Sequence, residues 1–144
     1  MGHFFETLRT ASPAASVIIS MEFMLSFGFL TTRLTKLLRH LNSHCDEEID
    51  WEQLATRFEI PLRTLSRKIT DLTGMSPNAY LLRLRLCRAM RMLKETDKTV
   101  TEIAFACGFN DSNYFTSRFH REIGMTPLKY RRHGDAAAAG ELER

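Results

Sequence analysis

Gly108–Arg131 reads GFNDSNYFTSRFHREIGMTPLKYR. Phe115, Phe119 and Ile123 recur at i, i+4 and i+8, which is one face of a helix. Asp111 stands where a side-chain carboxylate takes the first orphan amides, so the helix is expected over Ser112–Ile123. Asn113, Thr116, Ser117 and His120 then face outward. Gly124 ends the helix as a left-handed stop. Thr126 and Pro127 open another, with proline where the missing amide costs nothing. The stretch is a turn, an aromatic-rich helix, a stop and a short closing helix.

Part of this pattern has an earlier copy. Gly74-Met75-Ser76-Pro77-Asn78-Ala79-Tyr80 returns as Gly124-Met125-Thr126-Pro127-Leu128-Lys129-Tyr130. Further upstream, Leu54-Ala55 matches Ile103-Ala104, Phe58 matches Cys107 and Ile60 matches Phe109, all at an offset of 49. After one inserted residue the offset is 50, pairing Leu65 with Phe115 and Ile69 with Phe119. Each copy is two short helices around a tight turn, a helix-turn-helix. Gly108 suits the turn position that demands positive φ, whereas its counterpart Glu59 carries a steric penalty there. The first copy is therefore expected to have the less regular turn.

The helices of the first copy follow from the same signals. Asp50 caps Trp51–Phe58, with Gln53 in capping-box position. Pro61 opens Leu62–Leu72, whose apolar residues Leu62, Leu65, Ile69 and Leu72 are expected inside and whose Arg63, Ser66, Arg67 and Thr70 are expected outside. Ahead of it, Leu34, Leu37, Leu38 and Leu41 in Arg33–Ser43 make an amphipathic helix, followed by the acidic loop Asp46-Glu47-Glu48. Between the copies runs PNAYLLRLRLCRAMRMLKET, Pro77–Thr96, apolar on more than one side and so packed on more than one side. Thr99 and Glu102 form a capping box for the next short helix, ending near Cys107. With no strand alternation of useful length, the fold class is all-α.

Composition narrows the function. The 144 residues suffice for one domain or two very small ones. Three cysteines, Cys45, Cys87 and Cys107, lack paired spacing and fit a reducing cytoplasm better than a disulfide scaffold. Ile60–His133 holds 14 Lys/Arg against 6 Asp/Glu, a net of +8, and the rest holds 6 against 11, a net of −5. The basic segment is where a polyanion binds. Twenty residues of connector span about 30 Å, close to the ~34 Å between major-groove segments on one face of B-DNA. A single chain could then read an asymmetric site with two helices.

Here the residues carry a likeness. The first helix-turn-helix, the long connector and VTEIAFACGFNDSNYFTSRFHREIGMTPLKYR resemble the DNA-binding domain of the AraC/XylS family of bacterial transcription regulators, over residues 33–132. The resemblance implies a homeodomain-like pair of helix-turn-helix subdomains joined by a long connector helix, seven helices in all. It further implies two recognition helices in successive major grooves of double-stranded DNA, and activation through contact with RNA polymerase. Carried over by position, Arg63, Ser66 and Arg67 of the first recognition helix face base edges, as do Asp111, Asn113, Thr116 and Ser117 of the second. The chemistry suits the role: guanidinium forks match guanine, Asn matches adenine and Thr meets thymine methyls. Asp111 has a competing structural role as a cap. Lys68, Arg121, Lys129, Arg131 and Arg132 are the phosphate candidates, which position without specifying.

The remaining features weigh less. Residues 1–32 form an apolar N-terminal segment, residues 33–133 the double helix-turn-helix domain, and residues 134–144 a disordered tail. Members of the family commonly carry an effector-sensing domain ahead of the DNA-binding one, and thirty-two residues are too few for that. Pro13–Leu30 approaches membrane-spanning length, but Glu22 sits near its centre and only Arg9 is basic ahead of it. The rival reading makes residues 13–30 the working part of a membrane-tethered or protein-interaction module. His40, His44 and Cys45 lack a fourth ligand for a metal site. No arrangement of nucleophile, base or phosphate loop points to an enzyme, a cofactor or a small-molecule ligand.

Overall fold

A computed structural model describes residues 31–133; the expectations for residues 13–30 and for the tail 134–144 lie outside them. Seven helices follow one another: α1 (Thr31–Ser43), α2 (Trp51–Arg57), α3 (Leu62–Thr73), α4 (Pro77–Glu95), α5 (Val100–Ala106), α6 (Ser112–Ile123) and α7 (127–133). No strand occurs among the described residues. The expected boundaries hold to within two residues. The chain divides into two compact units, and the division falls within α4, between Arg85 and Leu86.

The first unit is built on the leucine face of α1. Leu34, Leu37, Leu38 and Leu41 are buried with Leu54 and Ala55 of α2, Leu65 and Ile69 of α3, and Leu81 and Leu84 of α4. Trp51, Phe58, Ile60 and Tyr80 close its margin. Removing such a residue as Leu65 would leave a cavity costing about 2–5 kcal/mol. Arg85 ties down the α1–α2 loop, its Nε donating to the Cys45 carbonyl at 2.6 Å and its Nη2 to the Glu47 carbonyl at 2.9 Å.

The second unit stacks aromatic rings where the first has aliphatic chains. Phe109 tilts against Phe115 with centroids 4.9 Å apart, Phe115 against Phe119 at 5.6 Å, and Phe119 meets Tyr130 edge-on at 5.6 Å. Such tilted pairs favour the ring quadrupoles as well as burial. Ile103, Ala104 and Cys107 of the α5 region are fully buried, and Cys107 Sγ lies 3.7 Å from Met92 Sδ.

Two expectations are corrected by this packing. Leu62 and Leu72 do not join the inner stripe of α3: they are 39% and 38% exposed. Leu62 is the first residue of α3 and Leu72 lies in its last turn, so both stand at the ends of the stripe rather than off it. The inward place near the end of α3 goes to half-buried Thr73, whose hydroxyl donates to the Ile69 carbonyl at 2.6 Å and accepts from the Met75 amide at 3.1 Å. The second correction concerns the turns, which are alike. Glu59 does take φ 53° where Gly108 takes φ 87°. Yet the Glu59 and Gly108 amides each reach back three residues at 3.1 Å, to Thr56 and Phe105. The Ile60 and Phe109 amides each reach back five at 3.0 Å, to Ala55 and Ala104. The strained Glu59 is held by α1: Arg33 donates Nη1 to its carbonyl at 3.3 Å and pairs Nη2 with its carboxylate at 3.2 Å.

Candidate nucleic-acid interface

Each unit presents one helix whose inner side is locked and whose outer side is open. In the first, Asp50 caps α2 by accepting the Glu52 and Gln53 amides at 3.0 and 3.1 Å. Leu54 and Ala55 are buried, and the turn through Glu59 leads directly into α3. Pro61 precedes α3 with no side-chain cap, and Gly74 ends it at φ 70°. Leu65 and Ile69 are fully buried, which fixes the rotation of α3 about its axis. That rotation leaves Arg63, Arg67 and Lys68 exposed. Ser66 is only half-exposed, and its carbonyl accepts the Thr70 hydroxyl at 2.9 Å.

In the second unit Thr99 and Glu102 close a full capping box on α5: the Glu102 amide donates to Thr99 Oγ1 at 3.2 Å and the Thr99 amide to Glu102 Oε2 at 2.7 Å. These bonds from Thr99 hold the Glu102 carboxyl below the usual range. After the Gly108 turn, Asp111 accepts the Tyr114 amide at 2.7 Å and starts α6. Phe115 and Phe119 are fully buried, so Asn113, Ser117 and Arg121 are turned outward and exposed. Thr116 is half-buried and gives its hydroxyl to the Ser112 carbonyl at 2.9 Å, leaving its methyl as the group to present. Arg118 pairs with Glu122 at 3.4 Å and adds little net charge.

The candidate residues thus divide. Arg63, Arg67, Asn113 and Ser117 are exposed on the outer faces of the two second helices, with Lys68 and Arg121 beside them. Lys129 and Arg132 are exposed on α7. Asp111 is occupied as a helix cap. Arg131 is turned inward: Nε donates to the Leu93 carbonyl at 3.1 Å, and Nη2 to those of Lys98 and Thr96 at 2.6 and 3.4 Å. Its guanidinium closes the C-terminal end of α4, which the sequence reading, treating it as a phosphate contact, did not anticipate. Also missed was Tyr114, 55% exposed on the first turn of α6. Its place one residue before the inner Phe115 already put it off the buried stripe.

Residues 54–133 match the family described as a helix-turn-helix domain. The HTH-type transcriptional activator RhaS of Escherichia fergusonii is 46% identical over 105 residues, which are 73% of this chain and 38% of that protein. The chain therefore spans under two fifths of the length of that curated relative. Among solved structures, the DNA-binding domain of the global transcriptional factor AdpA, determined in complex with a target DNA, superposes with a TM-score of 0.67 at 33% identity. That likeness covers 72% of this chain and 94% of the AdpA domain. An AraC-type regulator from Chromobacterium violaceum gives a TM-score of 0.68 at 28% identity, covering 71% of this chain and 91% of that one. All three likenesses reach across both units rather than one.

Proposed function

The chain belongs to the AraC-type helix-turn-helix family, and on that footing we propose that it is a sequence-specific DNA-binding regulator of transcription. It acts as an activator, placing α3 and α6 in successive major grooves and contacting RNA polymerase from the bound promoter. The observation that carries the reading is the repetition itself: two helix pairs with the same turn hydrogen bonds, each offering one locked, outward-facing helix. The surplus of basic residues after Ile60 supports DNA as the partner. So do the likenesses to the activator RhaS and to the DNA-bound AdpA domain. A promoter partner agrees with a cytoplasmic place of work.

Within this reading Arg63 and Arg67 carry most of the direct readout, since a guanidinium forks onto guanine O6 and N7. Asn113, Ser117 and the Thr116 methyl contribute at the second groove. Lys68, Arg121, Lys129 and Arg132 clamp phosphates. The test is selection of duplexes from a random pool, followed by Arg67→Ala on the selected sequence. Loss of roughly 1–3 kcal/mol with relaxed preference at one base position is expected. A uniform loss on every duplex would remove Arg67 from the base-reading set. The rival role for residues 13–30 lies outside the described residues; among those, no helix is long and apolar enough to cross a membrane.

A further inference from the structure

Beyond Asn113, the outer face of α6 has few groups that discriminate bases. Ser117 is small and permissive, Arg118 is paired with Glu122, and Asp111 is committed to the cap. Against that background Tyr114 stands out. It is the third residue of α6, its amide is fixed by Asp111, and its side chain is 55% exposed. Its ring is tilted against that of buried Phe109 at a centroid distance of 6.3 Å. Its exposed ring leaves apolar surface in water at the start of the helix. The equivalent position of the first unit, Thr64, is half-buried and small.

Position decides what the ring meets. A recognition helix touches base edges with its N-terminal residues. On α6, Tyr114, Ser117 and Arg121 lie at i, i+3 and i+7, so the ring shares a flank with a base candidate and with a phosphate candidate further along. In a major groove a ring at that place meets base edges, where the one apolar group a base pair offers is the thymine C5-methyl. We infer that Tyr114 is a specificity-determining residue of the second unit, selecting a thymine by packing its ring against that methyl. This rests on the DNA-reading function proposed above. The second unit then reads by shape and apolar contact, while the first reads by guanidinium hydrogen bonds.

The test is a uracil scan. A duplex selected by the unaltered protein from a random pool is resynthesised with deoxyuridine at each thymine in turn, which removes the methyl and keeps every hydrogen bond. One thymine in the half-site read by α6 should lose about fourfold in affinity when demethylated, the worth of one buried methyl-sized group. Tyr114→Ala should bind the thymine and uracil duplexes equally, and Tyr114→Phe should discriminate as the unaltered protein does. Tyr114→Phe losing the discrimination, or Tyr114→Ala retaining it, would overturn the inference and leave DNA binding standing. The scan on the unaltered protein needs no variant to fold: indifference to every methyl in that half-site overturns it as well. Failure to enrich any sequence would instead overturn the function on which it rests.

Discussion

Arg131 separates what a residue type promises from what its surroundings allow. As one of three basic residues on α7 it looks like a phosphate clamp, and Lys129 and Arg132 remain exposed for that work. Its own guanidinium is spent on the carbonyls of Leu93, Thr96 and Lys98, orphan acceptors at and just beyond the end of α4. Hydrogen bonds from a charged donor to such acceptors are worth about 1.5–3 kcal/mol each when broken. Arg131→Ala is therefore expected to lower the urea midpoint substantially. Arg131→Lys should restore little, because one ammonium cannot span three carbonyls. An unchanged midpoint with weaker binding to every DNA sequence would return Arg131 to the phosphate set. Glu59 teaches a similar lesson. Its φ of 53° was legible from alignment with Gly108, but not the Arg33 contacts that let an ordinary residue hold a glycine's turn. Those contacts join positions 26 apart in sequence, beyond any local pattern.

At the scale of the element, the capped helices were the most legible part of the chain. Asp50, Thr99 and Asp111 each take amides of the helix they precede, and Gly74 and Gly124 each stop one in the left-handed region. These signals are local, so a single sequence carries them. The Leu62 and Leu72 assignments failed because periodicity gives the direction of a stripe and not how far along the helix it is covered. How far burial extends along α3 depends on what the neighbouring helices leave uncovered. The α5 cap also makes a pH prediction. Thr99 bonds depress the Glu102 carboxyl in the folded chain below its ordinary value. The unfolded chain therefore takes up the proton first on acidification. The cap's contribution is complete above that ordinary value and is lost as pH falls through the depressed one. Melting temperatures between pH 7 and pH 3 should show a shallower acid-side decline for Glu102→Gln than for the unaltered protein. Parallel declines would mean that the carboxylate adds nothing beyond a neutral acceptor.

For the whole molecule, the charge asymmetry and the internal repeat point the same way. A chain of net +3 conceals a segment of net +8, and that segment contains both outward-facing second helices, α3 and α6. The fold was almost wholly legible in the sequence, because helix periodicity, caps and the repeated glycine stops agree with one another. The candidate interface was legible as a face and less so as a list. Exposure of Arg63, Arg67, Asn113, Tyr114 and Ser117 follows from the buried stripes, whereas the inward turn of Arg131 depends on tertiary neighbours. The central claim is sequence-specific binding of double-stranded DNA by this chain, and a competition titration across a salt series tests it most directly. A selected duplex and bulk DNA are titrated between about 50 and 200 mM salt, a range over which a protein with several phosphate contacts loses orders of magnitude in affinity. Log affinity should fall linearly with log salt on both, with the selected duplex remaining about a thousandfold or more tighter. Affinity indifferent to salt, or equal for the two DNAs, would contradict it.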